Sequence, residues 1–229
     1  MNTPDIICHQ HDGLFEITLH RPERLNALTP GMAQALLGAV RQAQADPAVG
    51  ALLIEGEGRA FCAGKDRDAP GSAAFVASLQ QLADALVNGG KPSVAAVQGW
   101  AVGAGLELAL NCDLVIASDD ARFKLPEAQL GLPGTGGVHA LLPRLVGLGR
   151  AKALLWLGDE FDARRACEWG LVWDVAPRPE LPERARAYAR RLLATDPQAL
   201  SHVKALVHGA ALPDFGTTLD GEAGCETPR

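Results

Sequence analysis

The sequence predicts a layered α/β domain followed by a mainly helical extension, and three observations indicate this fold class. In the first half, apolar segments of about five residues, typical of buried strands, alternate with longer segments of helical periodicity. The second half is helical in pattern and is interrupted by glycine and proline. Of the 229 residues, 48% are apolar, which is sufficient for one domain with a substantial core.

The chain begins with a predicted hairpin and a capped helix. Short apolar segments at residues 6–8 and 14–19 flank a His-Asp-Gly turn, as in a β-hairpin. Thr29 and Pro30 then supply an N-cap and a first helical residue, so a helix is predicted to follow. The continuous apolar segment 49–54 is typical of a strand that is covered on both faces.

The following elements divide the chain into three predicted parts. A second helix is expected over Ala73–Val87, and strands over Ser93–Val97 and residues 114–117, with a short helix at 106–112 between them. We therefore predict an α/β core over residues 1–140 and a helical region over 141–208. Residues 209–229 show no periodicity, which predicts an irregular, shortened tail.

Bulk composition argues against several classes of partner. The formal net charge is −6, so nothing draws the protein to nucleic acid or to an anionic membrane. No apolar segment reaches the roughly eighteen residues of a membrane helix, and the first ten residues do not resemble a secretory signal. The five cysteines are scattered and odd in number, which predicts reduced thiols in a cytoplasmic protein and no metal site.

Two sets of residues resemble known catalytic or binding motifs but do not satisfy them. Gly58 to Lys65 resembles a phosphate-binding P-loop, yet five residues separate its glycines where the motif requires four. His139, His202 and His208 have no serine or cysteine elbow near them, so a hydrolase triad has little support.

Two loops that follow strands carry the strongest indication of chemistry. The first covers residues 61–66 and the second covers residues 99–107, and both are rich in small residues. Small residues at a strand end allow a sharp turn that leaves backbone N–H groups exposed. Two such groups that converge on one point form an oxyanion hole, which stabilises an enolate or a tetrahedral oxyanion. Close packing of glycines between strand and helix would explain either loop taken alone.

The motifs taken together resemble the crotonase (enoyl-CoA hydratase/isomerase) family. The resemblance rests on Ala63-Gly64-Lys65-Asp66, on residues 99–113, and on Pro126-Glu127 through Gly137, all in family order. It extends from about residue 14 to about residue 176. It implies a spiral of ββα units with a helical C-terminal trimerisation region, assembled as a homotrimer or a dimer of trimers. It also implies an acyl-CoA substrate, with coenzyme A as part of that substrate and no separate cofactor.

The resemblance also implies roles for particular residues. The backbone N–H groups of Lys65 and Ala104 would form the oxyanion hole, and Glu107 and Glu127 would be the catalytic carboxylates. The remaining residues implied to contact the substrate or its coenzyme A are Arg24, Leu25, Ala27, Ala63, Gly64, Asp66, Trp100, Gly103 and Gly134.

Retention of both glutamates favours a hydratase over the other reactions of the family. Adding water to a 2-enoyl thioester requires one group to take a proton from water and another to supply one to C2. The alternatives are a double-bond isomerase with Glu127 as the main proton shuttle, a hydrolase or C–C lyase on the same scaffold, and a non-catalytic or RNA-binding relative.

The sequence also departs from the family pattern at two loop residues and at the C-terminus. Lys65 stands where a small or apolar residue is common, and Asp68 stands where a basic contact to coenzyme A is common. The short C-terminus predicts that the helical lid of relatives is absent or is supplied by a partner.

Overall fold

The computed structural model describes residues 4–69 and 71–224, and within them the chain forms two β-sheets. The larger sheet has six strands in the order β1-β2-β3-β4-β6-β9. Its first pair is antiparallel and every later neighbouring pair is parallel. These strands are β1 (Ile6–His11), β2 (Leu14–Leu19), β3 (Ala51–Gly56), β4 (Ser93–Val97), β6 (Leu114–Ser118) and β9 (Asp174–Ala176).

A smaller sheet is built from the strands that follow β4 and β6. Its order is β5 (Trp100–Val102), β7 (Arg122–Lys124) and β8 (Phe161–Asp162). Two consecutive passes of the chain thus place one strand in the large sheet and the next in the small sheet, since β4 is followed by β5 and β6 by β7. This arrangement is the spiral of ββα units that the sequence predicts.

Nine α-helices complete the described part of the chain. They are α1 (Pro30–Ala45), α2 (Ala73–Val87), α3 (Ala104–Leu110), α4 (Val138–Val146), α5 (Leu148–Leu157), α6 (Ala163–Glu168), α7 (Leu181–Leu193), α8 (Pro197–Ala211) and α9 (Phe215–Gly224).

The local signals of the first half are confirmed. The Thr29 hydroxyl accepts a hydrogen bond from the Met32 N–H at 3.1 Å, and Pro30 is the first residue of α1. The predicted hairpin turns at Asp12 and Gly13, which have φ angles of 48° and 82°. Short-range patterning is sufficient here because each signal acts within one turn of chain.

The large sheet is buried on both faces, which accounts for its uninterrupted apolar strands. One face packs against α1 and α2 in the main core. The other face contributes a second cluster with Ala185 and Ala189 of α7. All five residues of β4 are buried, so this strand lies at the centre of the layers.

The prediction of an irregular tail over residues 209–229 is wrong for its described part. Helix α8 continues to Ala211, and residues 215–224 form α9. Phe215, Leu219 and Glu222 of α9 are buried at the spacing of one helical face. Three glycines and the glutamate at the third buried position conceal this stripe in the sequence. Residues 225–229 lie outside the described part.

The region 141–208 is less purely helical than the sequence predicts. Its strands β8 and β9 join the small and the large sheet respectively. They have two and three residues, which is too short to produce a recognisable period in sequence.

From the sequence, an exposed apolar surface is expected at Leu154, Leu155, Trp156 and Trp169, and of these four residues Trp156 is exposed. Leu154 is buried, and Leu155 and Trp169 pack partly buried against the core. The exposed large apolar side chains of the region are Leu145, Leu148, Trp156, Leu157, Trp173, Val203, Leu206 and Val207.

Among the helices of residues 4–69 and 71–224, none combines the length and apolar character required to cross a membrane.

Candidate active site

A cavity of about 430 Å³ opens between the large-sheet loops and the small sheet. Both predicted glutamates line it, as do both predicted oxyanion-hole residues. The members of the predicted site that line the cavity are Ala63, Gly64, Lys65, Gly103, Ala104, Glu107, Glu127 and Gly134.

Backbone hydrogen bonds bring the two small-residue loops together. The Cys62 N–H donates to Trp100 O at 3.0 Å, and the Val102 N–H donates back to Cys62 O at 3.0 Å. Gly64 lies so close to the second loop that an added Cβ would be 2.7 Å from Val102 O and 3.7 Å from Ala104 N. The two loops therefore meet beside the cavity, as the sequence predicts.

Ala104 is the first residue of α3, so its N–H has no acceptor within that helix. Gly103 precedes it with φ 53° and ψ −124°, a conformation that is open essentially to glycine alone. The Gly103 N–H donates to Lys124 O at 2.9 Å, which fixes the turn against the small sheet. The Ala104 N–H is thereby placed at the cavity by the fold.

Glu107 lies in the first turn of α3 and is buried, with 3% of its surface exposed. Its carboxylate accepts hydrogen bonds from the N–H groups of Thr135 at 3.2 Å and Gly136 at 3.1 Å. An added Cβ on Gly136 would be 2.8 Å from Glu107 Oε2, so the close approach requires glycine. The same loop is held by Asn111, whose Nδ2 donates to Gly136 O at 2.9 Å.

Glu127 begins a short 3₁₀ turn, Glu127–Leu130, that follows β7. Its Oε2 atom is buried and has no hydrogen-bond partner among the described residues. An unpaired buried carboxylate oxygen is costly, so its presence at a cavity indicates a partner supplied by a ligand or water.

The two carboxyl groups both hold protons unusually strongly. Burial, followed by the charges of Glu127 and Glu222, raises the pKa of Glu107 to about 8. Burial also raises the pKa of Glu127, against the opposing charges of Lys65 and His139. Two carboxyl groups that interact in a dry cavity tend to share a proton, and one then acts as acid while the other acts as base.

The loop at residues 24–27 supports the cavity without lining it. The Ala63 N–H donates to Leu25 O at 3.0 Å. Arg21 Nη1 donates to Ala27 O at 2.5 Å. Leu25 takes a φ of 52°, which allows the loop to turn back beneath residues 63–66.

Asp66 and Trp100 also lie behind the cavity. Asp66 is buried and paired with Arg21 and Arg24, each at 3.1 Å. The Asp68 N–H, followed by these arginines, holds the pKa of Asp66 below its ordinary value. Trp100 lies in β5 opposite Arg122 and does not line the cavity.

Several lining residues were not singled out as site residues from the sequence. They are the basic side chains of Arg67 and Lys124, the apolar Val102, Leu130 and Leu132, and the polar Gln129 and Thr135. Glu222 was also missed, because it approaches the site from a helix that the sequence did not predict. Its burial on one face of α9 becomes apparent only in the folded helix, because the glycines of α9 conceal the helical spacing in the sequence.

The geometry of the cavity by itself defines a class of site. One buried and one half-buried carboxyl group, together with backbone N–H groups in the same cavity, are suited to acid–base chemistry beside a polarised carbonyl group. The comparisons with known proteins agree with this class. A model of the family described as enoyl-CoA hydratase/isomerase matches residues 9–224.

Individual relatives cover nearly the whole chain. The 1,2-epoxyphenylacetyl-CoA isomerase of Escherichia coli K12 is 37% identical over 228 residues, 95% of this chain and 87% of that protein. The crotonyl-CoA hydratase of Syntrophomonas wolfei is 36% identical over 227 residues, 96% of this chain and 87% of that protein. A solved enoyl-CoA hydratase from Mycobacterium avium subsp. paratuberculosis superposes with a TM-score of 0.92 at 31% identity, covering 99% of this chain and 92% of that chain.

The chain belongs to the enoyl-CoA hydratase/isomerase family and is an enzyme of the crotonase type.

Proposed function

We propose that the protein adds water to 2-enoyl-CoA thioesters and forms 3-hydroxyacyl-CoA. One observation carries the proposal: Glu107, which is buried, and Glu127, which is half-buried, line the same cavity as Lys65 and Ala104. A hydratase needs two proton-transferring groups and one oxyanion site, and this cavity offers candidates for all three.

In the proposed reaction the thioester oxygen lies between the backbone N–H groups of Lys65 and Ala104. Addition of water at C3 moves the double-bond electrons through C2 to that oxygen and forms an enolate. Hydrogen bonds from two N–H groups stabilise the developing negative charge more than they stabilise the neutral carbonyl group. This additional stabilisation therefore lowers the energy of the transition state relative to the bound substrate.

Protons balance through the two carboxyl groups. The ionised member removes a proton from the attacking water as oxygen bonds to C3. The protonated member delivers its proton to C2 as the enolate collapses to the thioester. The proton taken from water then passes back to this member, through the pair or through solvent, and restores the starting state. The high proton affinity of Glu107 favours it as the protonated member in the free enzyme, with Glu127 ionised.

The cavity also suits an anionic thioester. Lys65, Arg67 and Lys124 all line it, although the chain as a whole has a net charge of −6. Local cations of this kind attract the phosphates of coenzyme A. The reaction involves no net electron transfer, so it requires no redox cofactor, and coenzyme A takes part as a portion of the substrate.

We also propose a homotrimer or a dimer of trimers, working in the cytoplasm. Trp156 is 67% exposed and Leu148 is 63% exposed, which gives the helical region an apolar surface that assembly would cover. The free cysteines Cys8, Cys62, Cys112 and Cys167 suit a reducing compartment.

A double-bond isomerase is the second candidate, and the 32% identity over 232 residues to the enoyl-CoA isomerase/hydratase fer4 of Mycosarcoma maydis favours it. In that reaction Glu127 would carry a proton between carbon atoms of the acyl chain, and Glu107 would be subsidiary. The acyl chain would gain no oxygen.

The deciding experiment uses crotonyl-CoA and 3-enoyl-CoA in ¹⁸O-labelled water. Hydration predicts loss of the enoyl-thioester absorbance of crotonyl-CoA and one labelled oxygen at C3 of the product. Conversion of 3-enoyl-CoA to 2-enoyl-CoA without label, together with no hydration, would reject the hydratase in favour of the isomerase.

A further inference from the structure

Helix α9 places a third acidic side chain, that of Glu222, close to the proposed catalytic pair. Glu222 is 4% exposed and accepts three hydrogen bonds. The Gly137 N–H donates to it at 2.8 Å and the His139 N–H at 3.2 Å. The third bond joins Glu222 Oε1 to His139 Nδ1 at 2.7 Å. A buried carboxylate with this many partners is held in one position.

The donors to Glu222 continue the row of donors to Glu107. The N–H groups of Thr135 and Gly136 point to Glu107, and those of Gly137 and His139 point to Glu222. One segment of backbone at the start of α4 is therefore shared between two buried carboxylates. Any shift of this segment at Glu222 would also move the donors that hold Glu107.

The site holds Glu222 through packing as well as hydrogen bonds. Phe215 and Leu219 of α9 pack in a cluster with residues of α2 and with Ala140 of α4. An added Cβ on Gly137 would lie 2.9 Å from the Phe215 ring. Helix α9 therefore fits closely against the segment that Glu222 binds.

We propose that Glu222 is a positioning residue for Glu107. It fixes residues 135–139 so that the Thr135 and Gly136 N–H groups meet the Glu107 carboxylate, and it places a further negative charge beside the reacting pair. The inference rests on the proposed function for the role of Glu107, whereas the contacts themselves are independent of it.

The electrostatic effect has a defined sign. Three causes raise the pKa of Glu107: burial is the largest, the charge of Glu127 is next, and the charge of Glu222 is third. The titratable groups around Glu107 are Glu127 of the turn after β7, Glu222 of α9 and Lys65 of the loop after β3, and His139 of α4 binds Glu222. Removing the charge of Glu222 lowers the proton affinity of Glu107.

Glu222→Gln tests the charge, because it is nearly isosteric and still offers one oxygen acceptor. The proton affinity of Glu107 is read directly from its ¹³C carboxyl signal in glutamate-labelled protein, assigned with Glu107→Gln. We expect the pH midpoint of the Glu107 titration to fall by about half a pH unit or more in Glu222→Gln. We expect kcat to fall about tenfold, with KM within about twofold of the parent. A folded variant with an unmoved Glu107 midpoint overturns the proposal, whatever its rate.

Glu222→Asp tests the geometry independently, since it keeps the charge and shortens the side chain by one methylene. The carboxylate then no longer reaches all three donors. We expect the midpoint of Glu107 to stay within about 0.3 units of the parent, and kcat to fall about fivefold or more. Parental kcat in Glu222→Asp also overturns the proposal, even if Glu222→Gln fails to fold.

Asp220→Asn is the matched control. It removes an exposed acidic charge two residues away on the same helix and should change neither midpoint nor kcat. The carboxyl titration needs no substrate. It therefore tests the coupling of Glu222 to Glu107 separately from the proposed hydratase function. A shifted midpoint in a protein that neither hydrates nor isomerises enoyl-CoA would reject the proposed function and leave the Glu222–Glu107 coupling intact.

Discussion

The carboxyl group of Glu127 lies directly against Gly103, so closely that a Cβ atom on Gly103 would overlap Glu127 Oε1. Gly103 also has φ 53° and ψ −124° and immediately precedes Ala104. A single glycine thus determines both the turn that presents the Ala104 N–H and the space that Glu127 occupies.

Gly103→Ala is expected to impair turnover. The new methyl group meets the Glu127 carboxyl group, and the backbone conformation is strained for any residue with a Cβ. We expect kcat to fall at least about fiftyfold, with a loss of about 1–3 kcal/mol in stability. Steady-state kinetics and thermal melting measure the two effects.

Gly38→Ala is the control for that substitution. Gly38 lies in α1 with nothing within 4 Å of an added Cβ, so the change should leave activity unaltered and stabilise slightly. Parental turnover in folded Gly103→Ala would show that Glu127 does not need its present position.

Glu107→Gln and Glu127→Gln should each lower turnover by at least about a hundredfold while the fold stays intact. Each amide keeps the shape of the side chain and cannot exchange a proton at neutral pH. Asp159→Asn, an exposed carboxylate-to-amide change, is the control. Near-parental activity in either glutamate variant would contradict the two-carboxylate mechanism.

The pH dependence of kcat/KM should show an alkaline limb. Burial and neighbouring charge raise the pKa of Glu107 to about 8, so the pair keeps its shared proton at neutral pH and loses it above that value. Activity should therefore fall about tenfold per pH unit well above pH 8, and it should also fall on the acid side where Glu127 becomes protonated. Initial rates between about pH 5 and pH 10 give the profile. Activity that stays constant across the alkaline range would exclude a protonated Glu107 from the mechanism.

The oxyanion hole is expected to depend on backbone rather than side chain. Lys65→Ala should keep most of kcat and at worst raise KM, because the backbone N–H remains. Ala104→Pro removes a donor, which typically costs about 3 kcal/mol of transition-state stabilisation, or two to three orders of magnitude in rate.

Ala104→Gly retains the N–H and should be nearly silent, so it is the control for Ala104→Pro. Circular dichroism and melting must first show that the proline variant is folded. Ordinary turnover in a folded Ala104→Pro enzyme would place the oxyanion elsewhere.

Assembly should depend on the apolar surface of the helical region. Trp156 is 67% exposed, and burying it between subunits would contribute strongly to association. Trp156→Glu should convert a homotrimer or hexamer into smaller species in light scattering. Thr217→Glu adds the same charge at an exposed site on α9 and should not alter the mass. A parental protein that is monomeric at micromolar concentration would contradict the prediction.

The sequence was sufficient for the features that depend on short stretches of chain. The Thr29 cap, the hairpin turn at Asp12 and the Ser93–Val97 strand follow from local patterns and are all present. The ordered motifs indicated the family and named Glu107 and Glu127, and both line the cavity. These signals can be recognised in the sequence because each is formed by residues that are close together in the chain.

The tertiary structure decided what depends on contacts between distant segments. Glu222 lies 85 residues after Gly137, whose N–H it binds. The helix that contains Glu222 has three glycines and shows no recognisable helical periodicity in the sequence. Trp100 and Asp66 belong to family motifs, yet neither lines the cavity. The Trp100 carbonyl pairs with the Cys62 N–H, and the Asp66 carboxylate pairs with Arg21 and Arg24. Burial likewise set the proton affinity of Glu107, since desolvation depends on which segments enclose a side chain and not on its neighbours in sequence.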